Sequence, residues 1–158
     1  GLGIMNIAVI VNDLSPSQKT FYLVKAMNGM LDSFDLSPTV FQSRACKPVL
    51  QTLFPCKMTA GLGAYHGVVI STTIEDAALS LKASNNTKCF LYLWELSWIN
   101  TPMRFKAVMK ILQDDRLNII ARSKSHSSVI ENFCNKPPVA ILEDWEPNEL
   151  SRIVSKDY

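Results

Sequence analysis

Histidine and cysteine are scarce in this chain, which has 2 histidines and 4 cysteines among 158 residues. No two cysteines form a C-x-x-C pair, and the histidines are far apart in the sequence. Zinc sites draw on such clusters, so we expect no metal ion. Thiols without a paired spacing are typical of proteins in a reducing compartment, and we therefore expect a cytoplasmic protein.

Long apolar runs and a strong charge of one sign are also missing. No run approaches the roughly 20 residues of a membrane helix, and Ile7–Val11 is too short and lacks the basic flank of a signal peptide. The formal net charge is +2, which is too small to attract nucleic acid strongly. We expect neither a membrane span nor a nucleic-acid partner.

Glycine is missing where nucleotide-binding motifs need it. The first predicted strand is followed by V-N-D-L-S-P-S, which excludes a dinucleotide fingerprint because that motif uses glycine to approach pyrophosphate. Gly61, Gly63 and Gly67 are close together, but they precede a predicted strand instead of following one. Neither a Walker sequence nor G-x-S-x-G occurs, which disfavours P-loop NTPase and α/β-hydrolase chemistry. No cofactor is predicted.

What the sequence does contain is an alternation of short apolar runs with amphipathic helical patterns. About six runs, the number in a doubly wound sheet, are predicted strands: Ile7–Val11, Thr39–Phe41, Val68–Ser71, Cys89–Leu93, Asn118–Ala121 and Val139–Leu142. Strands that alternate with helices imply right-handed crossovers and a mostly parallel sheet. We predict a three-layer, doubly wound, Rossmann-like α/β fold. We expect one domain over residues 5–158, with residues 1–4 a remnant before a native start at Met5.

Capping signatures mark the predicted helix starts. Ser15-Pro16-Ser17-Gln18 offers a serine cap, a proline at the first helical position and a glutamine that completes a capping box. Thr72-x-x-Glu75 is a second capping box, and Thr101-Pro102 repeats the cap followed by proline. Cys46–Phe54 is predicted as a short helix, and Met58–Tyr65 as a loop.

The predicted strand order places a crevice at the carboxyl edge of the sheet. In the order 3-2-1-4-5-6, Ile7–Val11 and Cys89–Leu93 are neighbours, and the winding direction reverses between them. Ligands of open α/β sheets bind at such a point. The side chains expected to face each other there are Asn12, Asp13 and Ser15 on one side and Trp94, Glu95 and Trp98 on the other.

The side chains of this crevice each have a functional and a structural interpretation. Glu95 is a candidate general base toward a hydroxyl or a water, or a carboxylate that pairs with a nearby base. Trp94 and Trp98 suit stacking on a sugar or a nucleobase, or the burial of apolar area. Asp13 is a second candidate base, or it accepts a turn hydrogen bond from its own backbone.

Two later segments also carry polar candidates. Ser123–Ser128 opens a predicted helix, where exposed amides beside Lys124 suit an anion or sugar hydroxyls. Ser123, Lys124 and His126 are therefore candidate ligand contacts, and the alternative is an ordinary serine cap. Glu143-Asp144-Trp145 is either a polar ligand rim or an acidic start that suits the last helix.

These later segments carry a family resemblance. N-I-I-A-R-S-K-S-H-S-S-V-I and P-V-A-I-L-E-D-W-E-P-N-E-L resemble the amino-terminal, acceptor-side domain of GT-B-type glycosyltransferases. Ser123 matches the serine of the family's "vi-a-x-S" segment, whereas Glu143-Asp144-Trp145 replaces the usual Asn-Gly-Val. The opening M-N-I-A-V-I-V-N-D-L-S-P is also similar to the first strand and loop of that domain.

The resemblance implies sugar transfer from a nucleotide sugar to an acceptor hydroxyl, without an obligatory metal. Glu95 or Asp13 would be the base, the two indoles would stack on the sugar, and Ser123–His126 would contact it. Most nucleotide-sugar contacts of that family come from a second domain, so this chain would need a partner subunit or a missing carboxyl-terminal domain. The alternative function is a non-catalytic protein-interaction module on the same scaffold. A receiver domain is disfavoured because the first strand lacks a terminal acidic cluster.

Overall fold

The computed structural model describes residues 4–33, 35–48, 50–83, 86–94 and 105–158. They form one sheet of seven parallel strands with helices on both faces. The strands are β1 (Met5–Val11), β2 (Leu36–Gln42), β3 (Cys56–Met58), β4 (Gly67–Ser71), β5 (Asn86–Leu93), β6 (Leu117–Ala121) and β7 (Ala140–Ile141). The helices are α1 (Gln18–Ser33), α2 (Ile74–Lys82), α3 (Phe105–Leu112), α4 (Lys124–Cys134) and α5 (Pro147–Ser155), with a short 3-10 helix at Thr59–Ala64. The predicted three-layer, Rossmann-like α/β fold is confirmed, with one strand more than expected.

The strands lie in the order β3-β2-β1-β4-β5-β6-β7. The order 3-2-1-4-5-6 is thus present among the first six observed strands. The edge strand β3 was not predicted, so every predicted strand from Val68–Ser71 onward has a number one higher in the structure. The expected contact of Ile7–Val11 with the Cys89–Leu93 strand is wrong, because β1 pairs with β2 and β4 and only β4 reaches β5. The winding direction therefore reverses between β1 and β4.

The difference between the predicted and the observed strand order comes from the segment before β4, which contains an unpredicted strand. The described residues of Cys46–Phe54 form no helix, and Met58–Tyr65 contains the end of β3 and the 3-10 helix instead of a loop. All three residues of β3 are exposed. A strand without a buried face has no apolar alternation, so periodicity could not reveal it.

The central strands are buried on both faces, as their continuous apolar runs require. Helices α1 and α5 cover one face, and helices α2, α3 and α4 cover the other. In β5 the side chains alternate between these layers: Phe90 and Tyr92 point to the first, and Cys89, Leu91 and Leu93 to the second. Within the described ranges, no helix is long and apolar enough to cross a membrane.

Two of the helix caps lie one or two residues after the predicted ones. Helix α1 is capped by Ser17, whose Oγ accepts from Thr20 N at 3.1 Å while Thr20 Oγ1 accepts from Ser17 N at 3.0 Å. Helix α2 is capped by Thr73 instead of Thr72. Ser123 caps α4, as the alternative interpretation of that segment predicted, and α5 begins at Pro147.

Candidate functional site

The winding reversal brings the loops after β1 and β4 together at the carboxyl edge. Thr72, which follows β4, donates from Oγ1 to the carbonyl oxygen of Ile10 at 2.8 Å and so ties the two strand ends. The loop after β1 contains the predicted residues Asn12, Asp13 and Ser15. The carbonyl oxygen of Asn12 accepts from the backbone N–H of Ser43 and Arg44, both at 3.0 Å, and the Asn12 side chain is exposed.

Asp13 is fixed by its neighbours and has only 9% of its side chain exposed. It accepts hydrogen bonds from the Ser15 hydroxyl, from the Arg44 guanidinium and from Ser15 N, the last at 2.9 Å. These donors stabilise the charged carboxylate and lower its pKa to about 2. A carboxylate with so low a pKa is a weak base at neutral pH. The geometry therefore favours the structural role of Asp13, and a catalytic role stays a prediction.

Trp94, at the end of β5, packs beneath a charged side chain. Only 7% of this residue is exposed, and the Arg122 guanidinium carbon lies 3.6 Å from the centre of an indole ring. Arg122 also pairs with Asp144 across 3.3 Å. A guanidinium on an indole face is a cation–π contact that fixes both groups. The predictions for Glu95 and Trp98, like the Thr101-Pro102 cap, lie outside the described residues.

The polar residues predicted at the start of α4 lie beside this stack. Ser123 Oγ accepts from His126 N at 3.2 Å and lies 3.0 Å from Ser125 Oγ. The Lys124 side chain is exposed, and His126 is partly buried. The His126 Nδ1 atom is inaccessible to solvent and has no hydrogen-bond partner within the described part of the chain. The ordinary serine cap is thus present, and it leaves the exposed Lys124 side chain, but not the His126 Nδ1 atom, available to a ligand.

A cavity of about 390 Å³ lies between the start of α4 and the loop after β7. It is called here the α4 cavity, and it is lined by Arg122, Ser123, Lys124, His126, Ile141, Glu143 and Asp144. Three of the sequence-predicted contacts are thus brought to one place. Asn12, Asp13 and Ser15 do not line it, so the structure divides the predicted site between two parts of the carboxyl edge.

The far wall of the α4 cavity is a tight turn over Glu143–Glu146. The Glu146 N–H donates to the Glu143 carbonyl oxygen at 3.0 Å, and Asp144 and Trp145 have φ of 46° and 59°. Positive φ at both central residues is the signature of a type I′ turn, which usually contains asparagine and glycine. Two side-chain-bearing residues there store strain of about 1–3 kcal/mol each.

Packing holds this turn in its strained conformation. Trp145 is completely buried and lies edge-on to Tyr92, with ring centroids 4.7 Å apart. The Tyr92 hydroxyl donates to the carbonyl oxygen of Leu142, just before the turn. Backbone strain of this kind concentrates at functional sites. The surfaces on both sides of the Glu143–Glu146 turn are therefore candidate ligand sites.

Sequence reasoning missed two charged residues of the carboxyl edge. Arg122 directly follows β6, and that position alone could have identified it as a cavity residue. Asp76, in the first turn of α2, is 8% exposed, and its Oδ2 has no hydrogen-bond partner within the described ranges. Burial raises its pKa. The sequence did not point to Asp76, because the capping box was predicted as Thr72-x-x-Glu75, whereas the cap of α2 is Thr73, three residues before Asp76.

Across the described residues, no group of three or more His, Cys, Asp or Glu side chains is placed to hold a metal ion. Comparisons of the chain with protein families, with curated proteins and with solved structures find no match.

Proposed function

We propose that this chain binds a sugar, free or as part of a nucleotide sugar, in the α4 cavity, as the acceptor-side half of a GT-B-like glycosyltransferase. The observation that carries the proposal is a juxtaposition of two segments. One cavity is lined by residues of both segments that resemble the GT-B family: Ser123, Lys124 and His126 from the first, and Glu143 and Asp144 from the second. The two segments meet because they follow the paired parallel strands β6 and β7, so their meeting supports a shared site, and the sugar is proposed from the chemistry of the lining and from the resemblance.

The chemistry of this lining suits a polyhydroxylated ligand. Glu143 and Asp144 offer acceptor oxygens, while Ser123 and His126 offer groups that can donate or accept. The α4 amino terminus and Lys124 favour negative charge, so a phosphate of a nucleotide sugar would be placed there. Asp144 already pairs with Arg122, which leaves Glu143 as the exposed carboxylate of the far wall.

Sugar transfer needs more than this half supplies. Asp13 has a pKa of about 2 and does not line the α4 cavity, so it is poorly suited to take a proton from an acceptor hydroxyl. Glu95 stays the proposed base on the carboxyl side of β5. We propose that the donor is positioned by a second domain or a partner subunit, because transfer requires both substrates to be held in reactive geometry.

One observation favours the second candidate, a non-catalytic protein-interaction module. Trp94 was expected to offer a stacking face, but it is 7% exposed and Arg122 covers one face of its ring. An indole used in this way contributes packing and not ligand contact. The two candidates are separated by whether a sugar binds at all.

The first test is a thermal-shift titration with UDP- and GDP-linked sugars and with the free sugars. A ligand at about 100 times its dissociation constant adds roughly 2.7 kcal/mol of stability, which is readily measured as a rise in melting temperature. We expect His126→Ala and Lys124→Ala to reduce the shift, and Lys110→Ala, an exposed lysine on α3, to preserve it. Trp98→Ala and Glu95→Gln test the two predictions made from sequence alone.

The same titration can reject the proposal. If none of these compounds raises the melting temperature, or if the two α4 variants respond like Lys110→Ala, sugar binding in the α4 cavity is wrong. The interaction module would then be the better candidate. Its partner would be sought by capture with the immobilised chain, with a Glu143–Asp144 double variant as the control surface.

A further inference from the structure

Arg122 lies where three strand ends meet at the carboxyl edge of the sheet. It directly follows β6, which pairs with β5 on one side and with β7 on the other. Trp94 directly follows β5, and Asp144 lies in the Glu143–Glu146 turn after β7. We propose that Arg122 is the phosphate-binding residue of the α4 cavity, and that a phosphate group of the ligand replaces Asp144 as its partner. This assignment rests on the proposed function, since both place the ligand in the same cavity.

The first observation is how the guanidinium is held. Its carbon lies 3.6 Å from the centre of a Trp94 ring, and Trp94 is itself almost fully buried. A stacked indole covers the face of a guanidinium, whereas the N–H donors point outward in the guanidinium plane. The stack therefore fixes the Arg122 side chain without using its hydrogen-bond donors. A guanidinium fixed in this way is pre-organised to bind a group with several oxygens.

The second observation is the poor fit of the carboxylate that pairs with Arg122. Within the described residues, its side chain makes a single hydrogen bond, from Nη2 to Asp144 Oδ1 at 3.3 Å. Charge-assisted hydrogen bonds are usually about 2.7–2.9 Å long. Arg152 is bound better, because its Nε lies 3.1 and 3.0 Å from the two Glu149 Oε atoms and its Nη2 lies 2.6 Å from Oε2. Most N–H donors of Arg122 thus have no partner in the described part of the chain.

The third observation is that Arg122 is accessible from a cavity of balanced charge. It lines the α4 cavity, and 31% of its side chain is exposed. Lys124, which is also exposed, is the second cation of the lining, and Glu143 and Asp144 are its two carboxylates. A lining of this kind suits a ligand that is anionic at one end and offers hydroxyl donors at the other. A sugar phosphate has this form, with its phosphate at Arg122 and its hydroxyls at Glu143.

The number of oxygens favours phosphate over carboxylate as the anionic group. One guanidinium can engage both oxygens of a carboxylate, whereas a phosphate has a further oxygen for an ammonium group. Because Arg122 and Lys124 line the same cavity, a phosphate can satisfy both cations at once. The exchange does not leave Asp144 as a buried, unpaired charge, since 31% of its side chain is also exposed and water can replace the guanidinium.

The test compares inorganic pyrophosphate with malonate, a compact dicarboxylate, by isothermal titration calorimetry of the intact chain at constant ionic strength. We expect pyrophosphate to bind at one site, about tenfold or more tightly than malonate. Arg122→Lys keeps the charge but loses the planar fork, and should weaken pyrophosphate binding about tenfold. Asp144→Asn removes the competing carboxylate and should tighten it about threefold. Asparagine tolerates the positive φ of this position, so the turn should be retained.

A double-variant cycle separates competition for Arg122 from a general change of charge. Glu143→Gln removes an equal charge from the cavity without releasing Arg122, so it should tighten pyrophosphate binding less than Asp144→Asn does. In the Arg122→Lys background, most of the gain from Asp144→Asn should disappear. Arg152→Lys, in the ion pair of α5, is the matched control and should not change the affinity. In ¹⁵N NMR spectra, pyrophosphate should shift the Nε–H signal of Arg122 and not that of Arg152.

The melting temperature and near-ultraviolet circular dichroism of each variant establish that it is folded. Absence of pyrophosphate binding, unchanged binding in Arg122→Lys, or weaker binding in Asp144→Asn would overturn the proposal. So would malonate binding as tight as that of pyrophosphate. Neither probe contains a sugar, so these outcomes are distinct from a failure of sugar binding. The expected pyrophosphate results without a response to any free sugar would support the phosphate site and reject the sugar alone.

Discussion

At the scale of single residues, an added methyl group should have opposite effects on stability at two glycines, because their backbone conformations and neighbours differ. Gly67 begins β4 with φ 151°, and a Cβ there would lie 2.5 Å from the Asn6 carbonyl oxygen. We expect Gly67→Ala to lower the free energy of unfolding by about 1–3 kcal/mol. Gly29→Ala should raise it by about 0.5–1 kcal/mol, because the helix gains and nothing clashes.

Urea denaturation followed by circular dichroism measures both glycine variants under one condition. The opposite signs are the informative result, since each variant adds the same single methyl group. If both substitutions stabilise the fold, the left-handed conformation and close contact assigned to Gly67 are wrong. If both destabilise it, some group must occupy the space beside Gly29.

Two carboxylates should respond to acid in opposite directions. Hydrogen bonds from the Ser15 hydroxyl and the Arg44 guanidinium lower the pKa of Asp13 from 3.8 to about 2. Its contribution to stability is therefore present above pH 3.8 and lost as the pH falls toward 2. Burial raises the pKa of Asp76, so its charged form destabilises the fold at neutral pH. Protonation relieves that penalty as the pH falls through the raised value.

Melting temperatures between pH 2 and pH 7 test both signs. Asp13→Asn should be less stable than the parent chain at neutral pH, and the difference should shrink on acidification. The melting temperature of Asp76→Asn minus that of the parent should instead decrease on acidification, because protonation of Asp76 stabilises the parent and has no counterpart in the variant. Parallel curves for Asp76→Asn and the parent would show that Asp76 is not buried in its charged form.

At the scale of elements, helix α5 is fastened to the sheet by a lysine from β5. Lys88 Nζ donates to the carbonyl oxygens of Val154 and Lys156, both at 2.9 Å. These carbonyls are at the end of α5, where acceptors lack helical partners and a cation is favourable. Lys88→Met should therefore lower the free energy of unfolding by about 1–3 kcal/mol, with Lys106→Met as the exposed control. Loss of equal size in both variants would contradict the capping role.

Element boundaries were predictable where burial imposes a pattern. β1, β4 and β6 are covered on both faces, and their β-branched runs could be identified from sequence. β2 begins at Leu36 instead of the predicted Thr39, and the residues it gains include Pro38, a residue that is rare inside strands. Its register with β1 includes Pro38, whereas β3 pairs only with Val40–Gln42. Proline is tolerated there because that side of β2 is open.

At the scale of the whole molecule, one short strand changed the predicted site. Sequence identified Ser123, Lys124 and His126 because a serine cap after an apolar strand is a local signal. The crevice between Asn12–Ser15 and Trp94 depended on strand order, which is a long-range property. With β4 lying between β1 and β5, those residues are one strand further apart than expected. The Arg122 contact with Trp94 was equally invisible, because it joins two strand ends through packing.

The same topology predicts a gradient of hydrogen exchange across the sheet. β1 and β4 are central, and every residue of β4 is buried, so their amides should exchange only by global unfolding. β3 is an edge strand of three exposed residues, and its amides should exchange by local opening. We expect their exchange to be roughly tenfold or more faster than that of the β1 and β4 amides. Exchange followed by mass spectrometry on peptic peptides resolves the two regions. Protection of Cys56–Met58 equal to that of Gly67–Ser71 would contradict the edge position of β3.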